Sequence, residues 1–140
     1  MDARYDLARF LAAQSPVIDA VLAELRAGRK ESHWMWFAFP QLGALGRSGT
    51  ARFYGIEDLE HARRYLAHPV LGPRLLACTR AVLAHGDQTA HAIFGSPDDL
   101  KFRSCMTLFD LAGPQHPEFR QALELFYGGE PDPVTVGLVQ

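Results

Sequence analysis

The chain has 140 residues, of which 48% are hydrophobic and 21% are charged. These values are ordinary for one globular domain, and they exclude disorder as the main state of the chain. The formal net charge of −2 argues against a dedicated nucleic-acid-binding protein, which usually carries a strong excess of basic residues. The two cysteines, Cys78 and Cys105, cannot form a disulfide framework and are expected to behave as small buried hydrophobic residues.

The first residues contain no basic stretch followed by an apolar one, so no secretory signal is expected. The longest unbroken apolar run is Trp34 to Pro40, which is seven residues, whereas a membrane-spanning helix needs about 20. We therefore expect a cytoplasmic protein with reduced thiols and no membrane partner.

Alanine and leucine are abundant and isoleucine is rare, which favours helices over strands. Start and stop signals predict an all-α protein, with about seven short helices in a single domain over residues 1–140. Asp2 is expected to cap a first helix that ends near Ala13, and Ser15-Pro16 to open a second that ends at Gly28. Further helices are predicted over about 57–67, from 69 or 73 to 84, over 89–94, 97–112 and 117–127, with a short turn after 132.

The segment of residues 29–40 does not fit one helical face. It contains both tryptophans, Trp34 and Trp36, and on a helix its apolar residues would point in every direction. One interpretation is an aromatic plug in the core, because such residues are usually inside. A second is that part of the segment lines a ligand pocket, since pockets combine aromatic walls with a few polar groups. In a third, residues 33–40 form an exposed patch for a partner helix.

Lys101 and Ser104 break the pattern of the helix predicted from residue 97. At 100° per residue both fall inside its apolar arc. A lysine there needs a partner or a route to water, and the helix dipole disfavours a cation near the N-terminus. Lys101 is therefore a candidate functional residue, with snorkelling to solvent or an ion pair with Asp98 as the structural alternatives. The solvent face of this helix is predicted to comprise Asp99, Arg103, Thr107 and Asp110.

Residues 43–50 contain a glycine at every third position, together with Arg47 and Ser48. Such a loop can present backbone N–H groups and a cation to an anion. Its spacing is not that of a phosphate-binding P-loop, so a plain connector is the alternative. His33 and Asp98 are the candidates for acid–base catalysis, against a hydrogen-bonded structural histidine and a first-turn helix acid.

Zinc-site, redox, serine-hydrolase and dinucleotide motifs do not occur, so we expect no metal and no cofactor. The leading hypothesis is a pocket for a small anionic ligand, similar to a nucleotide or a phosphosugar, with cofactor-free hydrolysis as an open extension. The aromatic walls would be Trp34 and Trp36, and the ligand would be neutralised by Lys101 with Arg47 or Lys30. Ser48 and Ser104 would add polar contacts. The alternative is a protein–protein interaction module that uses residues 33–40.

Five strings carry a resemblance to a known family: His33 to Phe37, Phe39-Pro40-Gln41, Phe94 to Lys101, Met106 to Phe109, and Phe126 to Gly129. Together they resemble a small bacterial family catalogued as domain of unknown function 1810, sometimes labelled calpastatin. The resemblance covers nearly the whole chain and implies a mainly helical domain without an established activity. The calpastatin label has no support, because repeated inhibitory segments are absent. The family pattern has a serine where this chain has Cys105, which argues against a catalytic hydroxyl there.

Overall fold

The computed structural model describes residues 5–139, which contain ten α-helices and no strand. The all-α prediction is therefore confirmed, although about seven helices was an undercount, because short helices also form in residues 29–56 and at the C-terminus. In chain order the helices are α1 (Ala8–Gln14), α2 (Ile18–Arg26), α3 (Met35–Ala38), α4 (Gly49–Phe53), α5 (Leu59–Ala67), α6 (Leu71–Leu83), α7 (Ala90–Phe94), α8 (Asp98–Ala112), α9 (Pro117–Tyr127) and α10 (Pro133–Val139). The predicted cap at Asp2 lies outside the described residues.

The N-cap predicted at Ser15 is wrong. Ser15 ends α1, because its N–H donates to the Leu11 carbonyl and so continues that helix, and α2 begins only at Ile18. Ser96 makes no side-chain cap on α8. Instead the first turn is closed by the Asp99 N–H, which donates to the carbonyl of Gly95 at 2.9 Å.

Helix α8 lies at the centre of the fold, packed against α5, α7, α9 and α10. Thr107 was predicted on its solvent face, but it is buried. Its hydroxyl donates to the carbonyl of Arg103 and accepts from the N–H of Asp132, both at 2.8 Å. The segment that leads into α10 therefore covers a face that the helical pattern alone assigns to solvent.

Three phenylalanine rings attach α3 and α7 to α8. The Phe102 ring of α8 lies 4.7 Å from the Phe94 ring and 5.1 Å from the Phe39 ring, measured between centroids. All three side chains are buried, and aromatic pairs at such separations add to the free energy gained by burial. This cluster holds the segment that carries Trp36 against the helix that carries Lys101.

Cys78 and Cys105 are both buried and unbonded to each other. Burial raises the pKa of the Cys78 thiol to about 12 and that of Cys105 well above its usual value. Because the thiolate is the reactive form, both residues act as small core side chains, as expected. None of the helices within residues 5–139 is long and apolar enough to cross a membrane.

Candidate functional site

The aromatic segment is divided between the core and a surface cleft. Trp34 and Phe39 are 1% exposed, so the plug interpretation applies to them. Trp36 is partly exposed and lines a cleft, so the pocket interpretation applies to that residue. The division arises because residues 35–38 make a single helical turn, which directs neighbouring side chains to different sides.

Glu24 organises the chain just before this turn. Its carboxylate accepts hydrogen bonds from the N–H groups of Glu31 and Ser32, at 2.6 and 2.9 Å, and from the Trp34 indole Nε1 at 3.0 Å. Burial acts to raise the pKa of Glu24, but the hydrogen bonds from Ser32, Glu31 and Trp34 outweigh it and lower the pKa to about 2. The ionised carboxylate therefore stabilises the folded segment.

We expect Glu24→Gln to lower the free energy of unfolding at pH 7 by about 1–2 kcal/mol, since hydrogen bonds to a charged group are lost. The folded pKa of about 2 lies below the usual 4.5. The stabilisation is thus complete above pH 4.5 and is lost as the pH falls towards 2. Urea unfolding of both proteins at pH 7 and pH 3 measures this. A difference that does not shrink at pH 3 would contradict the assignment.

Asp98 lies between the ammonium groups of both lysines of the chain. Its Oδ2 is 3.0 Å from Lys30 Nζ and its Oδ1 is 3.2 Å from Lys101 Nζ. Each ammonium also lies over an indole ring, Lys30 5.2 Å from the Trp34 centroid and Lys101 5.0 Å from the Trp36 centroid. These cation–π contacts add to the ion pairs. The three groups carry a net charge of +1.

This arrangement resolves the conflict between the Lys101 charge and the apolar arc in which it lies. The ion pair with Asp98, one of the predicted alternatives, supplies the partner that a lysine in an apolar arc needs. The Lys101 side chain remains 23% exposed, whereas that of Lys30 is 9% exposed. Lys30 is therefore the inner cation, and Lys101 is the one that reaches the surface cleft.

The cleft has a volume of about 510 Å³ and lies between α4, the first half of α8 and the start of α10. Its apolar lining is Trp36, Leu45, Ala51, Pro97, Leu100 and Val134. Its polar lining is Gln41, Arg47, Ser48, Lys101, Ser104 and Asp132. Leu100 belongs to the predicted apolar arc of α8, yet it is 58% exposed, because the helix borders the open cleft there instead of another helix.

The wall that carries Arg47 and Ser48 is held by a closed loop. Its two ends pair in a parallel bridge between Leu42 and Ile56. Next to the bridge Gly43 and Gly55 approach so closely that a Cβ on Gly55 would lie 2.2 Å from the Gly43 Cα. Within the loop the Ser48 hydroxyl caps α4 by accepting from the Ala51 N–H at 3.1 Å. Gly43 and Gly55 therefore serve the packing of this loop.

The charged groups of the cleft differ in how far they are already engaged. Within residues 5–139, Arg47 makes no hydrogen bond or ion pair through its exposed side chain, and Lys101 has a single ion pair. Asp132 is engaged through Oδ2, which accepts from Ser104 Oγ at 3.3 Å and from the Thr135 N–H and hydroxyl at 3.1 and 2.6 Å. Arg47 and Lys101 therefore present cationic hydrogen-bond donors that remain open in the cleft.

The structure brings together five of the predicted site residues: Trp36, Arg47, Ser48, Lys101 and Ser104 all line this cleft. Lys30 and Asp98 lie directly behind Lys101. Two predictions do not fit the cleft, because Trp34 is buried with its indole N–H on Glu24 and His33 is exposed outside the lining.

Sequence reasoning did not name the other lining residues as site residues, among them Gln41, Leu100, Asp132 and Val134. The sequence predicted only a short turn after 132, whereas the structure has α10 there, with Asp132 as its N-cap through the Thr135 N–H. No local signal, however, shows that this helix start lies against α8.

Comparisons with known proteins agree with the resemblance of the sequence motifs. A family model described as "Protein of unknown function (DUF1810)" matches residues 4–139. The chain is also similar to the crystal structure of the conserved hypothetical protein Rv1873 from Mycobacterium tuberculosis, with 51% identity, 96% of each chain covered and a TM-score of 0.95. No match was found among curated proteins. Since the family model spans nearly the whole sequence, the chain belongs to the DUF1810 family of proteins of unknown function.

Proposed function

We propose that this protein binds a small anionic ligand, similar to a nucleotide or a phosphosugar, in the cleft between α4, α8 and α10. The observation that carries the proposal is the position of Lys101. Its ammonium projects from the apolar face of α8, pairs with Asp98 and lies over the Trp36 ring. The side chain is still partly exposed in a cleft that Arg47 also lines. An ammonium that is fixed in position and still has free N–H donors can form charge-assisted hydrogen bonds with an anionic ligand.

The chemistry of the two cations favours a phosphate ester. Arg47 offers a planar guanidinium fork that matches two phosphate oxygens, and Lys101 offers a compact charge. A volume of about 510 Å³ lies within the roughly 300–1,000 Å³ that small-molecule sites occupy. The apolar lining residues supply a surface for the organic part of such an ester.

Trp36 serves this site as a platform for the cation. The Lys101 ammonium lies over its ring, so that face of the indole is covered while the lysine keeps this position. The proposal therefore gives Trp36 the role of holding Lys101 and walling the ligand, in place of stacking on it. Trp34 has the equivalent contact with Lys30 inside the protein.

The geometry supports binding better than hydrolysis. His33 does not line the cleft, and both oxygens of Asp98 are in ion pairs with lysines. We therefore assign to Asp98 the positioning of Lys101. If the protein hydrolysed a bound ester, the released phosphate would give a new phosphorus NMR signal. A bound ligand that stays intact would exclude hydrolysis.

The unbonded thiols Cys78 and Cys105 favour a reducing compartment such as the cytoplasm for this activity.

The alternative is a protein–protein interaction through residues 33–40. Five of these residues, Trp34, Met35, Ala38, Phe39 and Pro40, are buried, which leaves little of the segment for a partner helix. Iodide quenching of tryptophan fluorescence distinguishes the two functions. If the cleft binds phosphate esters, we expect iodide to quench the fluorescence partially and phosphate esters to reduce that quenching. Strong quenching that only a protein partner reduces would favour the interaction function.

Replacing Arg47 with methionine is expected to weaken the binding of phosphate esters about tenfold, because one charge-assisted contact is lost. Calorimetric titration with inorganic phosphate, ribose 5-phosphate and AMP, at low and high salt, measures this, and wild-type affinity should fall with salt. Arg52→Met is the matched control, since Arg52 is exposed on α4 but does not line the cleft. No binding of any of the three compounds to the wild type would overturn the proposal.

A further inference from the structure

Asp132 differs from the other charged groups of the cleft, because one of its carboxylate oxygens is fully engaged and the other is open. Oδ2 accepts from both the N–H and the hydroxyl of Thr135, and it shares the Ser104 hydroxyl with the Leu100 carbonyl. Oδ1 has no hydrogen bond or ion pair with any described residue, from Tyr5 to position 139. Asp132 lines the cleft and is partly exposed.

The backbone around Asp132 is fixed as firmly as its side chain. The Asp132 N–H donates to Thr107 Oγ1 at 2.8 Å. The Arg103 guanidinium donates to the carbonyls of Glu130 and Pro131 at 3.0 and 3.1 Å. The open oxygen is therefore a pre-positioned acceptor, and a pre-positioned acceptor loses little entropy when a ligand donates to it.

The contact that positions Asp132 lies about one helical turn along α8 from the residue that carries the cation. Ser104, which holds Asp132, follows Lys101 by three residues on α8, a rise of about 4.5 Å. A ligand that uses both groups needs an anionic group and a hydrogen-bond donor at a comparable separation. A phosphorylated pentose meets this requirement, since its ring hydroxyls lie a few bonds from the phosphate.

We infer that the ligand is a phosphate ester of a sugar, whose phosphate contacts Lys101 and Arg47 and whose hydroxyl donates to Asp132 Oδ1. This inference rests on the proposed function and makes Asp132 the residue that distinguishes sugar phosphates from simple phosphates. The sugar could belong to a free phosphosugar or to the ribose of a nucleotide, which present the same hydroxyl and phosphate chemistry.

Asp132→Asn provides a selective test. The donors on Oδ2 hold an acceptor in place, so the asparagine is expected to keep its oxygen there and turn its NH₂ into the cleft. An acceptor is thereby replaced by a donor without loss of the α10 cap. Thermal unfolding of the variant checks that the fold is retained, and Asp132→Glu, with a longer arm, provides a second variant that keeps the carboxylate.

The experiment is calorimetric titration of the full chain with methyl phosphate, ribose 5-phosphate, AMP and aminoethyl phosphate. We expect the wild type to bind ribose 5-phosphate about tenfold more tightly than methyl phosphate. Asp132→Asn should remove that advantage without weakening the binding of methyl phosphate. A preference for AMP over ribose 5-phosphate would assign the sugar to a nucleotide, and the reverse would assign it to a free phosphosugar.

Three results would overturn the inference while leaving the proposed function in place. These are equal affinity of the wild type for methyl phosphate and ribose 5-phosphate, a sugar preference that survives in Asp132→Asn, and tighter binding of aminoethyl phosphate than of either sugar ester. Failure of all four compounds to bind the wild type would instead overturn the proposed function itself.

Discussion

Lys101→Met is expected to weaken phosphate-ester binding by roughly 10- to 100-fold while the protein stays folded. The lost contact is a charge-assisted one in a partly desolvated cleft, which is worth about 1.5–3 kcal/mol. The fold should tolerate the change, because methionine keeps an apolar stem beside Trp36 and Asp98 retains its 3.0 Å ion pair with Lys30. We expect the free energy of unfolding to change by less than about 1 kcal/mol.

Calorimetric titration with ribose 5-phosphate gives the affinity, and urea unfolding gives the stability. Arg63→Met is the matched control, because Arg63 is an exposed cation on α5 that does not line the cleft. Unchanged affinity in Lys101→Met, at unchanged stability, would show that the ammonium does not contact the ligand.

Gly55→Ala is expected to cause the largest loss of stability among single substitutions in the cleft loop. The added Cβ would lie 2.2 Å from the Gly43 Cα and 2.8 Å from its nitrogen, and these are backbone atoms that cannot move without opening the bridge. Overpacking of this kind costs about 1–3 kcal/mol, and more where backbone must shift. The melting temperature should fall by roughly 5–10 °C, and the affinity for phosphate esters should fall with it.

Gly49→Ala in the same loop is the control for this prediction. A Cβ at Gly49 meets no atom within 4 Å, and alanine is the better helix former at the start of α4. Its melting temperature should stay the same or rise slightly. If Gly55→Ala were as stable as Gly49→Ala, the two ends of the loop would not approach as closely as described.

Helix ends were predictable because their causes are local. Glycines at 28, 95 and 128 all have positive φ angles, which only glycine adopts readily, and each follows a helix that the sequence predicts to stop there. Pro117 begins α9 as expected. Such signals act within a few residues, so the sequence alone is enough to recognise them.

The candidate site was predictable only in part. Lys101 and Ser104 stood out because they contradict the apolar arc of their own helix, and both line the cleft. Thr107 and Asp132 could not be interpreted in this way, because their pairing joins positions 25 residues apart. Helical periodicity describes the faces of one helix, so it does not predict a tertiary contact of this kind.

The run of aromatic residues shows the same limit. Composition alone makes Trp34 and Trp36 equivalent, and both were expected to wall a ligand. The structure separates them, since Trp34 is buried on Glu24 and only Trp36 reaches the cleft. The Glu24 carboxylate of α2, ten positions before Trp34, accepts from the Trp34 indole N–H, and Trp36 has no such contact among the described residues.

A crystal soaked in tungstate, an electron-dense analogue of phosphate, would locate the anion site in one experiment. We predict that the strongest anomalous peak lies between Lys101 and Arg47, with tungstate oxygens about 3 Å from both Lys101 Nζ and the Arg47 guanidinium, and that it disappears in Lys101→Met. Tungstate bound only elsewhere on the surface, with an empty cleft at the same concentration, would contradict the assignment of this cleft to an anionic ligand.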